Sequence, residues 1–249
     1  MKDKHISFFY TAFNDVNYDM NDNNYALSIL GNQTFTKCLL WHFRNKFPFL
    51  NEEVLTKIAN KQVENRSVAK YFDDTYHIWD FISCDNSQRE FLKNNPEKIH
   101  IKLDIIQKVF DALCASVEII LDSHYPIGVG YAHAHQIIVH SLNQMKISYK
   151  HEDIYDRVGI LNDIKSSVRN KLGGDIKYED EEVYLNQEKM YKVSVYFVKY
   201  NNKKLIGEST AHVKADAKEA AARQAFDEIQ KMGFHYFIPE VFKRLEREL

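Results

Sequence analysis

The apolar positions of this chain follow two different periods. Up to about residue 147 they recur at helical spacing, and from about residue 175 they alternate. Residues 6–13 (ISFFYTAF) are mostly apolar and predict a short packed helix, and residues 15–24 are polar and read as a loop. Leu27, Leu30, Phe35, Cys38 and Leu39 then fall near three- and four-residue intervals, which predicts a helix from 25 to about 43. Gly31 lies in its middle, where glycine costs about 1 kcal/mol relative to alanine. A glycine placed there marks close helix contact or a kink. Pro48 closes the next turn, and Asn51 followed by Glu52 and Glu53 reads as a cap with acids in a first turn. The amphipathic helix that follows spans 52–62 through Val54, Leu55 and Ile58. Asn65 and Ser67 punctuate the chain before Val68, Ala69 and Phe72, and residues 73–100 have weaker periodicity, with short buried pieces at Tyr76, Ile78, Trp79 and Phe81. A long helix over 102–121 carries Ile105, Ile106, Val109, Leu113, Val117 and Ile120 on one stripe. Pro126, Gly128 and Gly130 break it from a last helix over 132–145.

Residues 151–156 are polar and read as a linker or helix start, ahead of a helix over 158–172 with Leu161, Ile164 and Val168 on one face. Gly173 and Gly174 end it, and the period becomes two. Strands are predicted over 175–183, 190–198 and 205–213, the second placing Tyr191, Val193, Val195 and Phe197 opposite Lys192, Ser194 and Tyr196. The stretch 200–203 contains Asn-Asn and reads as a hairpin turn. Residues 214–232 form a helix with a dense alanine stripe at Ala217, Ala220, Ala221, Ala222 and Ala225. The tail from 234 onward, FHYFIPEVFKRLEREL, is too apolar at Phe234, Tyr236, Phe237 and Ile238 for free coil and is expected to dock on the second domain or a partner. The expected fold class is thus α + (α+β): a helical domain over 1–150, an α-β-β-β-α domain over 155–235 and an extension over 236–249.

Composition narrows the chemistry. Lys plus Arg number 33 and Asp plus Glu 35, for a net charge of −2, whereas a dedicated nucleic-acid binder is usually basic. Any such activity needs a local patch. Cys38, Cys84 and Cys114 are odd in number and far apart, which suits buried free thiols in a reducing compartment. No apolar run of 18 residues exists, so no membrane partner is expected. The first residues, MKDKHISFFYTAF, make a poor signal or transit peptide, so the expected location is intracellular, cytoplasmic or nuclear, with a mitochondrial one disfavoured. His133, His135 and His140 share one helix, but His135 faces elsewhere and ordinary packing or surface roles are the simpler reading. Phosphate-loop, metalloprotease, esterase and redox motifs are absent.

Three stretches resemble the ribonuclease III family. NYALSILGNQTF at 24–35 is similar to the family's NERLEFLGDAVL, with Asn24, Leu27, Leu30 and Gly31 matching. The stretch 55–72 resembles the helix pair typified by LVSNRSLAEL, through Asn65, Arg66 and Ser67, and QKVFDALCASVEIILD at 107–122 resembles the helix containing ADxFEALIGA, through Phe110, Ala112 and Leu113. The resemblance implies two-metal phosphodiester hydrolysis, in which Mg²⁺ or Mn²⁺ is held by carboxylates on facing helices. The motif's acids, however, fall on Tyr25, Ser28, Asn32 and Lys108, and only Asp111 keeps a carboxylate. One carboxylate cannot hold two divalent ions, and a lysine at the site would repel them. No metal site is assigned; a rival reading recruits Asp19, Asp22, Asp104 or Glu118.

The second half resembles the double-stranded-RNA-binding domain. The segment 204–229 resembles that family's third strand and second helix, with Gly207, Ala217, Lys218, Ala220 or Ala221, and Ala225 in place. The resemblance implies that Lys214 and Lys218, at a helix N-terminus, meet RNA phosphates, and that Asp163 stands where the first helix usually has a glutamate. The basic cluster is reduced to KADAK, the 184–190 connection lacks Gly, Pro and His, and residues 155–235 hold 14 basic against 13 acidic residues. The expected function is a non-catalytic double-stranded-RNA-binding protein of RNA processing or a scaffold. Its partners would be structured RNA and a second copy or a ribonuclease-III-like paralogue. The alternatives are an active metal-dependent endoribonuclease and a structural large-subunit ribosomal protein.

Overall fold

The structure is a computed structural model that describes residues 2–185, 188–200 and 202–248, with side chains from residue 5 onward. Asn186 and Gln187 in the 184–190 connection, and Asn201 in the predicted hairpin turn, lie outside the described residues. The chain divides into two compact units, Met1–Ile147 and Ser148–Leu249.

The first unit is helical: α1 (Lys2–Phe13), α2 (Tyr25–Lys46), α3 (Glu52–Glu64), α4 (Ser67–Tyr76), α5 (Asn86–Asn94), α6 (Ile99–Asp122) and α7 (Val129–Gln144), with short 3-10 turns at Ile78–Phe81 and Pro96–Lys98. α5 went unread in the weakly periodic stretch, because none of its side chains is fully buried and it carries no apolar stripe to read. It is held instead by an Asp85 cap that accepts from Ser87 N–H, and by the Arg89 guanidinium donating to the carbonyls of Trp79 and Ile82. The Asn51 cap forms as the sequence implies, its Oδ1 accepting from Val54 N–H at 2.9 Å.

α6 is the hub. Its middle, from Ile105 to Ser116, is buried on almost every side, so the predicted single stripe understates its contacts. Ile105, Ile106 and Val109 pack with Ala69, Ile78, Ile82 and Cys84, while Ala112 and Ala115 pack with Ala12 and Leu27. Phe110 meets Phe35 and Phe72 edge-on, at ring separations of 5.8 and 5.0 Å. Gly31 is the contact point of α2: a Cβ there would stand 1.7 Å from the Asp111 carbonyl oxygen. Only a residue without a side chain lets the two helix backbones touch at that level. Arg66 enters α4 with φ 50°, in the left-handed region, and its Nε pairs with Asp104 of α6. All three cysteines are buried free thiols.

The second unit opens with α8 (His151–Ile154) and α9 (Arg157–Leu172). An antiparallel sheet in the order β1-β2-β3 follows, with β1 (Asp175–Leu185), β2 (Glu188–Lys199) and β3 (Asn202–Ala211), and then α10 (Lys214–Lys231) and α11 (Glu240–Arg247). Its core joins Ile160, Leu161, Ile164 and Val168 of α9 to Ile176, Val193, Val195 and Phe197 of the sheet and to the alanines of α10. Gly207 allows the close approach of α10, since a Cβ there would lie 2.2 Å from the Ala221 carbonyl oxygen. An all-helical region followed by an α-β-β-β-α unit is therefore the observed architecture. The tail docks within the second unit through Phe242, which packs edge-on against His151 and Tyr155. Phe234 is buried as well, whereas Phe237 and Ile238 are not covered by the second unit itself.

Candidate catalytic centre and nucleic-acid interface

The close contact of α2 and α6 at Gly31 sets the geometry of the first site. At that contact the two helices bring Asn32, the residue after Gly31, and Asp111 together. Asn32 Nδ2 donates to Asp111 Oδ2 at 3.4 Å, and Gln107 Nε2, one turn earlier on α6, donates to Oδ1 at 2.9 Å. Asp111 is buried, and burial pushes its carboxyl from 3.8 up to about 7, against the weaker lowering effect of the two amides. Ser28 is also buried, with its hydroxyl donating to the Tyr25 carbonyl, while the Tyr25 ring is largely exposed. Lys108 is exposed, so the Asp111 carboxylate is met by amides and not by an ammonium.

Gln107 was not singled out from sequence. The signal was available: it precedes Asp111 by four residues and so shares its helix face. The rival acids do not gather around Asp111. Asp104 pairs with Arg66, Asp22 accepts from Thr11 Oγ1 at 2.6 Å, and Asp19 caps its own loop through Asn21 and Asp22 N–H. Glu118 lies two turns along α6, with Oε1 enclosed and lacking a hydrogen-bond partner. Among the described residues, no group of three or more His, Cys, Asp or Glu stands where it could hold a metal ion. The donor set at the centre is one carboxylate, two amides and a hydroxyl engaged with backbone. This does not fit the two divalent ions that the motif resemblance implied.

In the second unit the candidate RNA contacts lie on α9, β1 and the first turns of α10. Lys214 is exposed but engaged: its Nζ pairs with Asp180 of β1 at 2.5 Å. Lys218 Nζ sits 5.2 Å from the Tyr178 ring centre, and Lys165 of α9 sits 5.5 Å from the same ring. Tyr178 thereby brings a lysine from each helix to one place on β1. Its hydroxyl is enclosed without a hydrogen-bond partner, and burial, with Glu219 and Asp156 nearby, pushes it to about 12. Lys165 was missed from sequence, because helical spacing does not reveal which solvent-side lysine meets a strand. Asp163 is exposed on α9. On the sheet's outer face Lys203 pairs with Glu179, and Lys192 with Glu208 and Glu181, so that face is closed by its own ion pairs.

No family model matches the chain. Two viral proteins, each named "Putative ribonuclease 3", are similar to it. That of Invertebrate iridescent virus 6 is 24% identical over 238 residues, covering 89% of this chain and 77% of that protein. That of Frog virus 3 (isolate Goorha) is 23% identical over 225 residues, covering 89% of this chain and 56% of that protein. Among solved structures, the nuclease domain of ribonuclease III from Campylobacter jejuni covers 58% of this chain at 21% identity, with a TM-score of 0.46. Dicer from Pichia stipitis covers 89% of it at 14% identity, with a TM-score of 0.38. The chain carries a distantly related ribonuclease-III-like fold, followed by a small β-sheet domain that resembles a double-stranded-RNA-binding domain. Among the described residues, no helix is long and apolar enough to cross a membrane.

Proposed function

We propose that this protein binds double-stranded RNA without cleaving it, as a ribonuclease-III-like pseudoenzyme in RNA processing or as a scaffold. The observation that carries the reading is the Asn32–Asp111–Gln107 cluster. Where the family mechanism needs a net of carboxylates, this chain has a single buried carboxyl held by two neutral amides. Such a carboxyl is close to half protonated near neutral pH, which weakens it further as a metal ligand. The RNA-contacting role falls to Lys165, Lys214 and Lys218, with Lys214 exchanging Asp180 for a phosphate. The test is incubation of the purified chain with long duplex RNA and Mg²⁺ or Mn²⁺, beside variants carrying Asn32→Asp and Lys108→Asp. The parent is expected to retain the duplex on a native gel and leave it intact. Metal-dependent trimming into short duplexes would overturn the reading.

A second reading, an active metal-dependent duplex endoribonuclease, is favoured by the name given to both viral relatives. It requires that Asp111→Ala abolish cleavage by the parent. For partners, we infer a dimer with a second copy or a ribonuclease-III-like paralogue, supported by the exposure of Tyr25, Ile29 and Leu30 on α2. Light scattering on the purified chain distinguishes monomer from dimer.

A further inference from the structure

Between the C-terminal end of α2 and α7 the first unit has an open cleft of about 460 Å³, whose lining shares no residue with the Asn32–Asp111–Gln107 cluster. Trp41, His42, Asn45 and Lys46 line it from α2, and His135 and Asn143 from α7. We propose that this cleft binds a phosphomonoester carried on a nucleoside, with the indole of Trp41 stacking the base and His42, Lys46 and His135 meeting the phosphate.

The lining decides the class of ligand. None of its residues is acidic, and three of them are cations or can become cations, so the cleft selects an anion. Lys46 and His135 disfavour charge on His42. Burial lowers the His42 pKa first, and Lys46 and His135 lower it further. A bound phosphate relieves that repulsion. His135 Nε2 is enclosed and lacks a hydrogen-bond partner, so that nitrogen does not face the cleft, and it is through the charge the ring can carry that His135 favours an anion there. A bare phosphate leaves the rest of the cleft unused. Trp41 is 58% exposed, which leaves indole surface open to stack a planar ring. Asn45 and Asn143 each offer a donor and an acceptor, the pairing that a base edge presents. The volume lies within the range of small-molecule sites. The same chemistry is offered by a free mononucleotide and by the 5′-phosphorylated end of an RNA strand. The inference stands independently of duplex binding by the second unit.

The test is isothermal titration of the full chain with AMP, adenosine and inorganic phosphate, followed by a short single-stranded RNA with a 5′-phosphate or a 5′-hydroxyl. AMP is expected to saturate a single site, with adenosine and phosphate each weaker by about tenfold or more, since both halves of the ligand contribute. Trp41→Ala and Lys46→Ala are each expected to weaken AMP by about fivefold or more with an unchanged melting temperature, because both side chains sit at the rim. His135→Gln, which keeps a polar group but cannot become cationic, is expected to weaken AMP and leave adenosine unchanged. Tighter binding of the 5′-phosphorylated strand than of AMP assigns the cleft to strand ends, and equal or weaker binding assigns it to free nucleotides. Equal affinity for AMP and adenosine, parent-like binding by folded Trp41→Ala and Lys46→Ala variants, or no saturable heat at millimolar AMP would each overturn the proposal.

Discussion

Asp111→Asn tests the electrostatics of the central cluster. The carboxyl is held at about 7 in the folded protein against an ordinary 3.8, with burial as the main cause. An acid whose pKa is raised by folding destabilises the native state wherever the unfolded chain would be ionised. Its penalty is absent below about pH 4, grows as pH rises, and is complete above about pH 7. At 1.36 kcal/mol per pH unit, the full penalty is about 4 kcal/mol as an upper bound. The amide variant removes it at little geometric cost. The new side chain keeps an oxygen to accept from Gln107 Nε2, and its own amide can donate to Asn32 once that side chain turns its oxygen inward. Urea unfolding of parent and variant, followed by far-UV circular dichroism, should give nearly equal stabilities for the helical transition at pH 4. At pH 8 the variant should exceed the parent by about 2–4 kcal/mol. Because only this group differs between the two proteins, every other titration cancels in the comparison. A difference that stays constant from pH 4 to pH 8, or a variant weaker than the parent at pH 8, would refute the reasoning.

Gly31→Ala should destabilise the helical unit by about 3 kcal/mol through collision with the Asp111 carbonyl, although helix propensity alone predicts a gain of about 1 kcal/mol; the sign of the change in melting temperature decides which effect wins. Phe242→Ala should cost the second unit about 3–5 kcal/mol by removing the ring packed on His151 and Tyr155, and hydrogen exchange should show the loss confined to residues 148–248. Lys218→Ala should weaken duplex RNA binding about uniformly across sequences and lower the slope of log affinity against log salt by about 1, as read by fluorescence anisotropy at several ionic strengths.

Much of this architecture was legible along the chain because its periods are strong. Leu27, Phe35 and Leu39 on α2, and Val193, Val195 and Phe197 on β2, are buried as their spacing requires. Gly31 could be recognised as a contact point or a kink because a glycine in mid-helix is costly unless a neighbouring backbone comes close, as one does there. The absence of carboxylates at Tyr25, Ser28, Asn32 and Lys108 is likewise a property of the sequence, read by matching positions. α5 was not legible, since it lacks a buried stripe and is held by a cap and by guanidinium bonds to carbonyls outside the helix.

What only the tertiary structure decided is which groups meet. Lys108 and Gln107 are adjacent in sequence, yet it is the amide that reaches Asp111 while the ammonium stays in solvent, because successive helix residues point about 100° apart. Lys165 and Lys218 converge on Tyr178 from two helices, and His42 and His135 line one cleft from two others, pairings that no local period encodes. Side-chain period reports burial, a property of one element against its surroundings. The chemistry of a site depends on distances between elements, and those were set here by the close approach of α2 to α6 and of α10 to the sheet.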